Sequence, residues 1–255
     1  MGAHWGQVDI LNIGIDNLTR SEFLRRLQSG VVFTPNVDHL VRLQHDRHFY
    51  ECYQQADWII CDSRILYFLS HLLPVPICES IPGSSFFPEF CHFHAKDDNT
   101  RIFILGGKEG IAQKAMENIN NRIGRKIAVG ALSPSFSINR NESRRIADVI
   151  NQSDATVVLT GLGAPKQEKW IIAHRHLMPR VRIWLALGAT IDFEAETLSR
   201  APKAWRKLGM EWFYRFLHEP KRLFHRYFVD DMTFFWHFGR QLLHIYHNPW
   251  QENQT

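Results

Sequence analysis

The fold of this chain is decided by a segment that begins at Val157 and reads VVLTGLGAPKQEKWII through Ile172. Its first residues are apolar and rich in valine, a pattern typical of a buried parallel strand. A Gly-x-Gly turn at 161–163 follows. Pro165 comes next. Proline is common in the first turn of a helix, because the N–H that it lacks would have no hydrogen-bond partner there, so a helix is expected to start at this point. The segment therefore predicts a strand, a tight turn and a helix, the unit from which parallel α/β sheets are built.

The turn of this segment has the features of an anion site. A helix N-terminus presents unpaired N–H groups with partial positive charge, and Gly161 and Gly163 would let an anion approach the backbone. Lys166 adds a full charge, and Gln167 adds an amide that both donates and accepts. We therefore expect a phosphate or diphosphate to bind here. The alternative is that the glycines only turn the chain and Pro165 only starts a helix.

The same alternation of strands and helices runs through the rest of the chain. Strands are predicted at residues 8–13, 31–33, 58–61, 101–105, 127–131 and 181–187. Helices are predicted after Thr19, which forms a capping-box pattern with Glu22, and then across 40–53, from Ser63, from Ser84 or Ser85 to Phe93, and at 110–123 and 141–150. Strands that alternate with helices favour an α/β fold with a parallel sheet and helices on both faces.

The chain divides by pattern into a core and an appendage. A proline-marked loop at residues 73–83 suggests a soft boundary between two lobes of the core. Beyond Ser199 no further strand pattern occurs. We therefore expect residues 1–198 to form the α/β core and residues 199–255 to form a helical C-terminal appendage.

Composition limits the classes of protein that need to be considered. The chain has 255 residues, 45% of them hydrophobic, and a formal charge of +4, all ordinary for a soluble globular protein. Its four cysteines form no Cys-x-x-Cys pair, so buried thiols in a reducing cytoplasm are the simplest account. Residues 1–7 show no signal-peptide pattern, and no run of about 18 apolar residues predicts a membrane-spanning helix. Any membrane contact is therefore expected to be peripheral.

Ligands of parallel α/β sheets bind at the carboxyl ends of the strands. The candidate residues that follow the predicted strands are Thr34 and Asn36, Asp62, Gly106 and Gly107, the 161–167 turn, and the segment 188–192. Two of them have a purely local alternative. Asp62 could be the N-cap of the helix that starts near Ser63, and Asn36 or Asp38 could cap the helix after its strand.

The string Gly-x-Gly-x-Pro-Lys-Gln-Glu-x-Trp-Ile at residues 161–171 resembles the signature of the WecG/TagA/CpsF glycosyltransferases. Other motifs of that family follow its order, from Thr-x-Asn at 34–36 and the strand-end Asp62 to Arg-Ala-Pro, Gly-x-Glu-Trp and Glu-Pro-x-Arg between 200 and 222. The resemblance implies a Rossmann-like core. It also implies an enzyme that adds the second sugar to a polyprenyl-diphosphate-linked sugar in the synthesis of cell-envelope or exported polysaccharides.

The resemblance extends to the residues predicted to act on the acceptor. Asp62 corresponds to the family's proposed general base, and Thr34 and Asn36 correspond to the Thr-x-Asn pair beside it. Ser63-Arg64 replaces a glycine of the family, which leaves the surroundings of the carboxylate and the sugar preference open. Ser80 replaces an arginine in the segment 80–84, which is expected to be structural with a possible acceptor contact.

The donor is predicted to bind at the other strand ends. The residues assigned to it are Gly106, Gly107, Phe136, Gly161, Gly163, Pro165, Lys166, Gln167, Glu168 and Asp192. Phe136 is expected to stack on the nucleobase and Asp192 to pair with it. For Gly106 and Gly107 the alternative is a tight connection with no ligand contact.

The C-terminal appendage combines basic and aromatic residues. Its arginines include Arg215, Arg222 and Arg226, the last two on one helix face, and its aromatics include Phe228, Phe234, Phe235, Trp236 and Phe238. Such mixtures are typical of helices in a membrane interface, although a helix packed on the core is the alternative. In the family this segment docks on the membrane and closes the active site. We therefore expect the arginines to bind the acceptor diphosphate at the cytoplasmic membrane surface.

Together these patterns predict an inverting glycosyltransferase that moves a hexose or N-acetylhexosamine from a UDP-sugar. No Asp-x-Asp motif occurs, so we expect no metal and no cofactor, with cationic side chains and helix dipoles stabilising the leaving group. A catalytically silent nucleotide-binding scaffold of a polysaccharide assembly complex is the alternative. A dehydrogenase is disfavoured because Lys166 stands where a third glycine is needed. Nucleic acid is disfavoured by the modest charge, and a homo-oligomer is left open.

Overall fold

The structure is a computed structural model that describes residues 6–134, 139–198 and 232–251. Most of the predicted appendage falls outside these ranges. The predicted substrate-binding residues that lie outside them are Phe136, Arg215, Arg222 and Arg226.

Within the described residues, strands and helices alternate as the sequence predicts. The strands are β1 Gln7–Ile10, β2 Ile13–Asp16, β3 Gly30–Phe33, β4 Trp58–Ile59, β5 Ile102–Gly106, β6 Ala128–Leu132, β7 Val157–Gly161 and β8 Ile183–Ala186. The helices are α1 Arg20–Arg26, α2 Val37–Arg42, α3 Arg47–Tyr53, α4 Arg64–Ser70, α5 Gly83–Phe93, α6 Ile111–Ile123, α7 Arg140–Gln152, α8 Lys166–His174, α9 Thr190–Glu194 and, after the residues not described, α10 Met232–Leu242.

The core is a parallel sheet of six strands in the order β4-β3-β8-β7-β5-β6, which confirms the predicted α/β class. Strands from both sides of the 73–83 loop belong to this sheet, because β8 pairs with β3 along residues 30–33 and 183–186. The two predicted lobes are therefore joined through one continuous sheet.

Helices cover both faces of the sheet, as predicted. On β5, Phe103 and Leu105 face one core together with Ile171 of α8, whereas Ile102 and Ile104 face the other together with α6. The chain leaves β5 through α6 to reach β6, and it leaves β7 through α8 to reach β8 on the other side. The order of the strands therefore reverses between β5 and β7, and this switch point is where such sheets open a crevice for ligands.

Several local predictions differ from the structure. Residues 8–13 are not one strand but part of a β-hairpin, in which β1 and β2 pair antiparallel around a turn with Leu11 at φ 55°. The helix predicted across 40–53 is two helices, and Asp46 caps the second by accepting from the Phe49 N–H at 3.0 Å. Pro165 lies just before α8 rather than inside its first turn.

The helix α5 also begins earlier than predicted, at Gly83 rather than at Ser84 or Ser85. Neither serine is needed as its N-cap, because the carboxylate of Asp62 accepts the N–H of Gly83.

The helix α10 packs on the hairpin and on α2. Phe234 and Phe238 are buried in the core, and the Gln241 side chain bridges β1 by donating to the Asp9 carbonyl at 2.8 Å and accepting from the Leu11 N–H at 2.8 Å. Core packing thus accounts for half of the aromatics in this helix. Phe235 and Trp236 are exposed. None of the helices in the described ranges is long and apolar enough to cross a membrane.

Candidate active site

Two glycine turns meet at the switch point between β5 and β7. Gly106 has φ +131°, and a Cβ there would lie 2.5 Å from the backbone carbonyl of Gly161. The N–H of Gly107 donates to the same Gly161 carbonyl at 3.2 Å. The turns therefore pack backbone to backbone, which explains why glycine is required at Gly106 and why no side chain blocks the crevice there.

The turn that leads into α8 keeps an open side. Gly163 has φ +79° and is exposed, and a Cβ added there would meet no other atom within 4 Å. Lys166, the first residue of α8, is also exposed. An anion can therefore approach the start of this helix, where the N–H groups and the lysine favour negative charge.

Gln167 and Glu168 do not share that exposure. Their side chains are 2% and 0% exposed, and the Gln167 amide donates to Glu168 Oε1 at 2.8 Å. Gln167 Oε1 and Glu168 Oε2 have no hydrogen-bond partner among the described residues. Both side chains are therefore buried, unlike Gly163 and Lys166 of the same turn, and their assignment to the donor stays a prediction from sequence.

A buried polar cluster surrounds this pair. Burial raises the pKa of Tyr53 well above its ordinary value, and the charges of Glu168, Asp62 and Asp38 raise that pKa further. The Tyr53 hydroxyl lies 2.7 Å from His39 Nδ1. Carboxylates of α2, α8 and the segment after β4 therefore lie near enough to Tyr53 for their charges to act on it, a relation that sequence spacing does not indicate.

Burial raises the pKa of Glu168 to about 7, and the charge of Asp38 raises this pKa further. The hydrogen bond from Gln167 and the charge of Arg42 act in the opposite direction and lower it. Between about pH 4.5 and 7 the unfolded chain has an ionised Glu168 while the folded chain keeps it protonated. The folded state therefore binds more protons in this window, and stability falls as the pH rises through it.

We expect Glu168→Gln to remove that dependence, because glutamine keeps the shape without the titrating proton. From pH 5 to pH 8 the wild type should lose roughly 1–3 kcal/mol more of its unfolding free energy than the variant. Urea unfolding at both pH values measures this difference, and every other titrating group cancels between the two proteins. Equal pH dependence would mean that Glu168 titrates normally.

Asp62 lies at the carboxyl end of β4, half-buried. It does not cap the helix that follows it, because Ser63 does so by accepting from the Leu66 N–H at 3.3 Å. Instead Asp62 Oδ1 accepts from the N–H of Gly83 at 3.1 Å, the first residue of α5. The positive end of a helix thus faces the carboxylate and holds it in place.

The unusual Ser63-Arg64 pair has its own structural role. Besides the cap made by Ser63, the Arg64 guanidinium lies 5.6 Å from the ring centre of Tyr67 and 5.2 Å from that of Phe68. The pair therefore contributes a cap and a cation–π contact to α4.

Thr34 and Asn36 both have partners within the fold. The buried Thr34 hydroxyl donates to the Ala186 carbonyl at 3.2 Å, which ties β3 to β8. Asn36 Oδ1 accepts from the His39 N–H at 3.1 Å and caps α2, the local alternative considered for it above. Their assignment to the sugar remains a prediction from sequence.

A continuous set of contacts joins Asp62 to the glycine turns. A Cβ at Gly83, which donates to Asp62, would lie 3.0 Å from Leu187 Cβ and 3.2 Å from Thr190 Oγ1 beyond the end of β8. Ile191, the next residue, would be 2.6 Å from a Cβ at Gly161. The three strand spacings between β4 and β7 amount to roughly 14 Å, so the site is elongated along the sheet edge.

The last of the described candidates is Asp192. Asp192 follows Ile191 on α9 and is half-buried, which places it beside the glycine turns. Among the residues that the structure describes, no group of three His, Cys, Asp or Glu side chains could hold a metal ion.

Comparison with known proteins places the chain among glycosyltransferases. The model of the Glycosyl transferase WecG/TagA/CpsF family matches residues 8–248. Curated relatives include the N-acetylglucosaminyldiphosphoundecaprenol N-acetyl-beta-D-mannosaminyltransferases of Staphylococcus aureus strains MRSA252, MW2 and NCTC 8325 / PS 47. Each is 25% identical over 236 residues, which cover 87% of this chain and 88% of the relative.

Proposed function

Because the chain belongs to the WecG/TagA/CpsF glycosyltransferase family, we propose that it transfers a sugar from a UDP-sugar to a polyprenyl-diphosphate-linked sugar in cell-envelope polysaccharide synthesis. The acceptor class follows from the names of the relatives, which act on a diphosphoundecaprenol-linked sugar. The observation that carries the proposal is the contact path from Asp62 through Gly83 and Thr190 to the crevice at Gly161. It supplies one elongated site with a carboxylate at one end and an anion-binding turn at the other.

In the proposed reaction, the carboxylate of Asp62 takes the proton from a hydroxyl of the acceptor sugar. The hydroxyl oxygen forms a bond to the anomeric carbon of the donor while the bond from that carbon to the diphosphate oxygen breaks. The electron pair of the broken bond leaves with UDP, and the displacement inverts the anomeric configuration. A positioned base of this kind contributes about 10²–10⁴-fold to the rate.

The leaving diphosphate is proposed to bind the open side of the turn before α8. Backbone N–H groups there and the exposed Lys166 would stabilise the charge that develops on the leaving oxygen, usually the largest catalytic contribution. Asp192 would contact the nucleoside from the far side of the crevice. The arginines of the appendage, Arg215, Arg222 and Arg226, are proposed from sequence to bind the acceptor diphosphate.

The proposal is tested with a panel of UDP-sugars and a short-chain lipid-diphosphate-N-acetylglucosamine acceptor. UDP-N-acetylmannosamine is the first donor to try, since the relatives transfer N-acetylmannosamine. Appearance of the disaccharide lipid supports transfer. Binding of UDP without turnover of any donor would favour the catalytically silent scaffold.

We expect turnover to survive excess EDTA, because the charge of the leaving group is assigned to Lys166, the helix N-terminus and the arginines rather than to a divalent ion. The measurement compares rates with and without chelator, and then after Mg²⁺ or Mn²⁺ is returned. Loss of activity that either ion restores would show that a cation takes part, and Asp192 and Glu194 would be its first candidate ligands.

We also propose that the enzyme works at the cytoplasmic surface of the membrane, where a polyprenyl-linked acceptor resides. The exposed Phe235 and Trp236 on α10 support this, because amphipathic aromatic side chains suit the lipid–water interface.

A further inference from the structure

An exposed apolar surface begins at Phe68, on the helix that follows Asp62. It is formed by α4 and the loop behind it, and its most exposed members are Phe68, Leu72 and Val75 at 49%, 62% and 56%. His71, Pro74 and Pro76 are exposed among them. We call this surface, residues 68–76, the α4 tip.

The α4 tip is a preformed structure. The Ser70 hydroxyl donates to the Tyr67 carbonyl at 2.7 Å and accepts from the Ile77 N–H at 2.9 Å, which closes the loop. Behind it, the Ile81 N–H donates to the Cys61 carbonyl at 2.7 Å. Leu66 and Ile77 are buried beneath the surface. The exposed apolar side chains are therefore held outward by a fixed backbone.

The charges of this region are one-sided. No aspartate or glutamate occurs between Asp62 and Glu79, whereas Arg64 and His71 lie within the segment. The nearest glutamates in this region, Glu22 and Glu79, act on Cys78 behind the tip, so the tip segment itself carries basic and no acidic side chains. That combination with exposed apolar side chains suits the surface of an anionic bilayer, which attracts cations and takes up apolar side chains. A partner protein surface gives no comparable reason for the exclusion of carboxylates over this length.

We propose that the α4 tip inserts into the surface of an anionic membrane and thereby sets Asp62 at the height of the acceptor sugar. This proposal rests on the proposed function, because the role of Asp62 as the base that acts on a membrane-anchored acceptor comes from there. A polyprenyl chain anchors its sugar close to the headgroups, so a base must come close to that surface. Asp62 precedes α4 and the inserted loop follows it, so the base and the loop are separated by one helix of seven residues, about 10 Å long.

The test uses vesicles with and without phosphatidylglycerol and the full-length chain carrying Leu72→Asp and Val75→Asp together. Both side chains are exposed, so the melting temperature should change little. We expect affinity for the anionic vesicles to fall about ten-fold or more, because two apolar contacts are lost and two repelled charges are added. The matched control is Phe93→Asp, which removes an apolar side chain of 51% exposure on α5 and should leave vesicle affinity unchanged.

Vesicle binding needs no substrate, so this result stands whether or not the transferase reaction is found. Turnover on a vesicle-embedded acceptor should fall in the double variant relative to turnover on the short-chain acceptor without vesicles. Unchanged vesicle affinity of the double variant would overturn the proposal. A change in sedimentation of the chain without a change in vesicle affinity would also overturn it and would assign the α4 tip to contact between copies of the chain.

Discussion

Asp62→Asn is expected to fold normally and to lose turnover by about two orders of magnitude or more, the scale of a lost general base. The asparagine side chain oxygen can still accept the N–H of Gly83, so the contact that holds the start of α5 survives. What disappears is the ability to take a proton. Thermal melting and UDP binding should therefore match the wild type, and the loss should appear in kcat on a lipid-diphosphate acceptor.

Asp57, at the N-terminal ends of β3 and β4, provides a matched control for Asp62. Asp57 precedes β4, and its carboxylate accepts the Val31 N–H at 2.8 Å, so it makes the same kind of contact far from the proposed site. Asp57→Asn should keep turnover near the wild-type rate. If Asp62→Asn also turned over normally, Asp62 would be only the acceptor that stabilises the start of α5, and another base would have to be found.

Gly106→Ala should destabilise the protein by about 3 kcal/mol or more and abolish nucleotide binding. A positive φ at an alanine costs about 1–3 kcal/mol, and the new Cβ would stand 2.5 Å from the Gly161 carbonyl, which adds an overpacking cost of about 1–3 kcal/mol. The strain falls on the contact between the two turns, so β5 and β7 must separate at the switch point. Urea unfolding and UDP titration measure the two effects.

Gly124→Ala separates backbone strain from the clash. Gly124 has φ +77° at the end of α6 and no atom within 4 Å of an added Cβ, so its substitution should cost only the strain of a left-handed alanine, about 1–2 kcal/mol, and leave UDP binding intact. Similar losses for the two variants would contradict the close approach of the turns and remove the reason given for Gly106.

The sequence predicted the sheet well because buried parallel strands are apolar along their whole length, and all six strands of the sheet carry that signal. It missed the hairpin because Leu11 takes a positive φ without the glycine that normally marks such a turn. The sequence pattern predicted α2 and α3 as one helix, because neither proline nor glycine separates them. Asp46 is a residue type that favours the N-cap position, and it marks the start of α3.

The positions of some candidate site residues in the fold could be predicted from the sequence, and their roles stay predictions. The strand-end positions of Asp62, Gly106 and Gly161 follow from local pattern and sheet topology. The burial of Gln167 and Glu168 could not be predicted in this way. A motif gives the order of residues, but tertiary packing decides which side of the helix faces the interior. The contact between Asp62 and Gly83 joins residues from separate elements, and no local spacing predicts it.

The position of β8 has a consequence for how the chain is made. Residues 30–33 emerge early in synthesis, yet their partner on one side is the strand at residues 183–186, which emerges much later. Until then β3 has only the two-residue β4 beside it within this sheet, and its other edge is open to wrong pairing. Such long-range pairing slows folding, and exposed edges invite aggregation. The nascent chain is therefore expected to depend on chaperones until β8 closes the middle of the sheet.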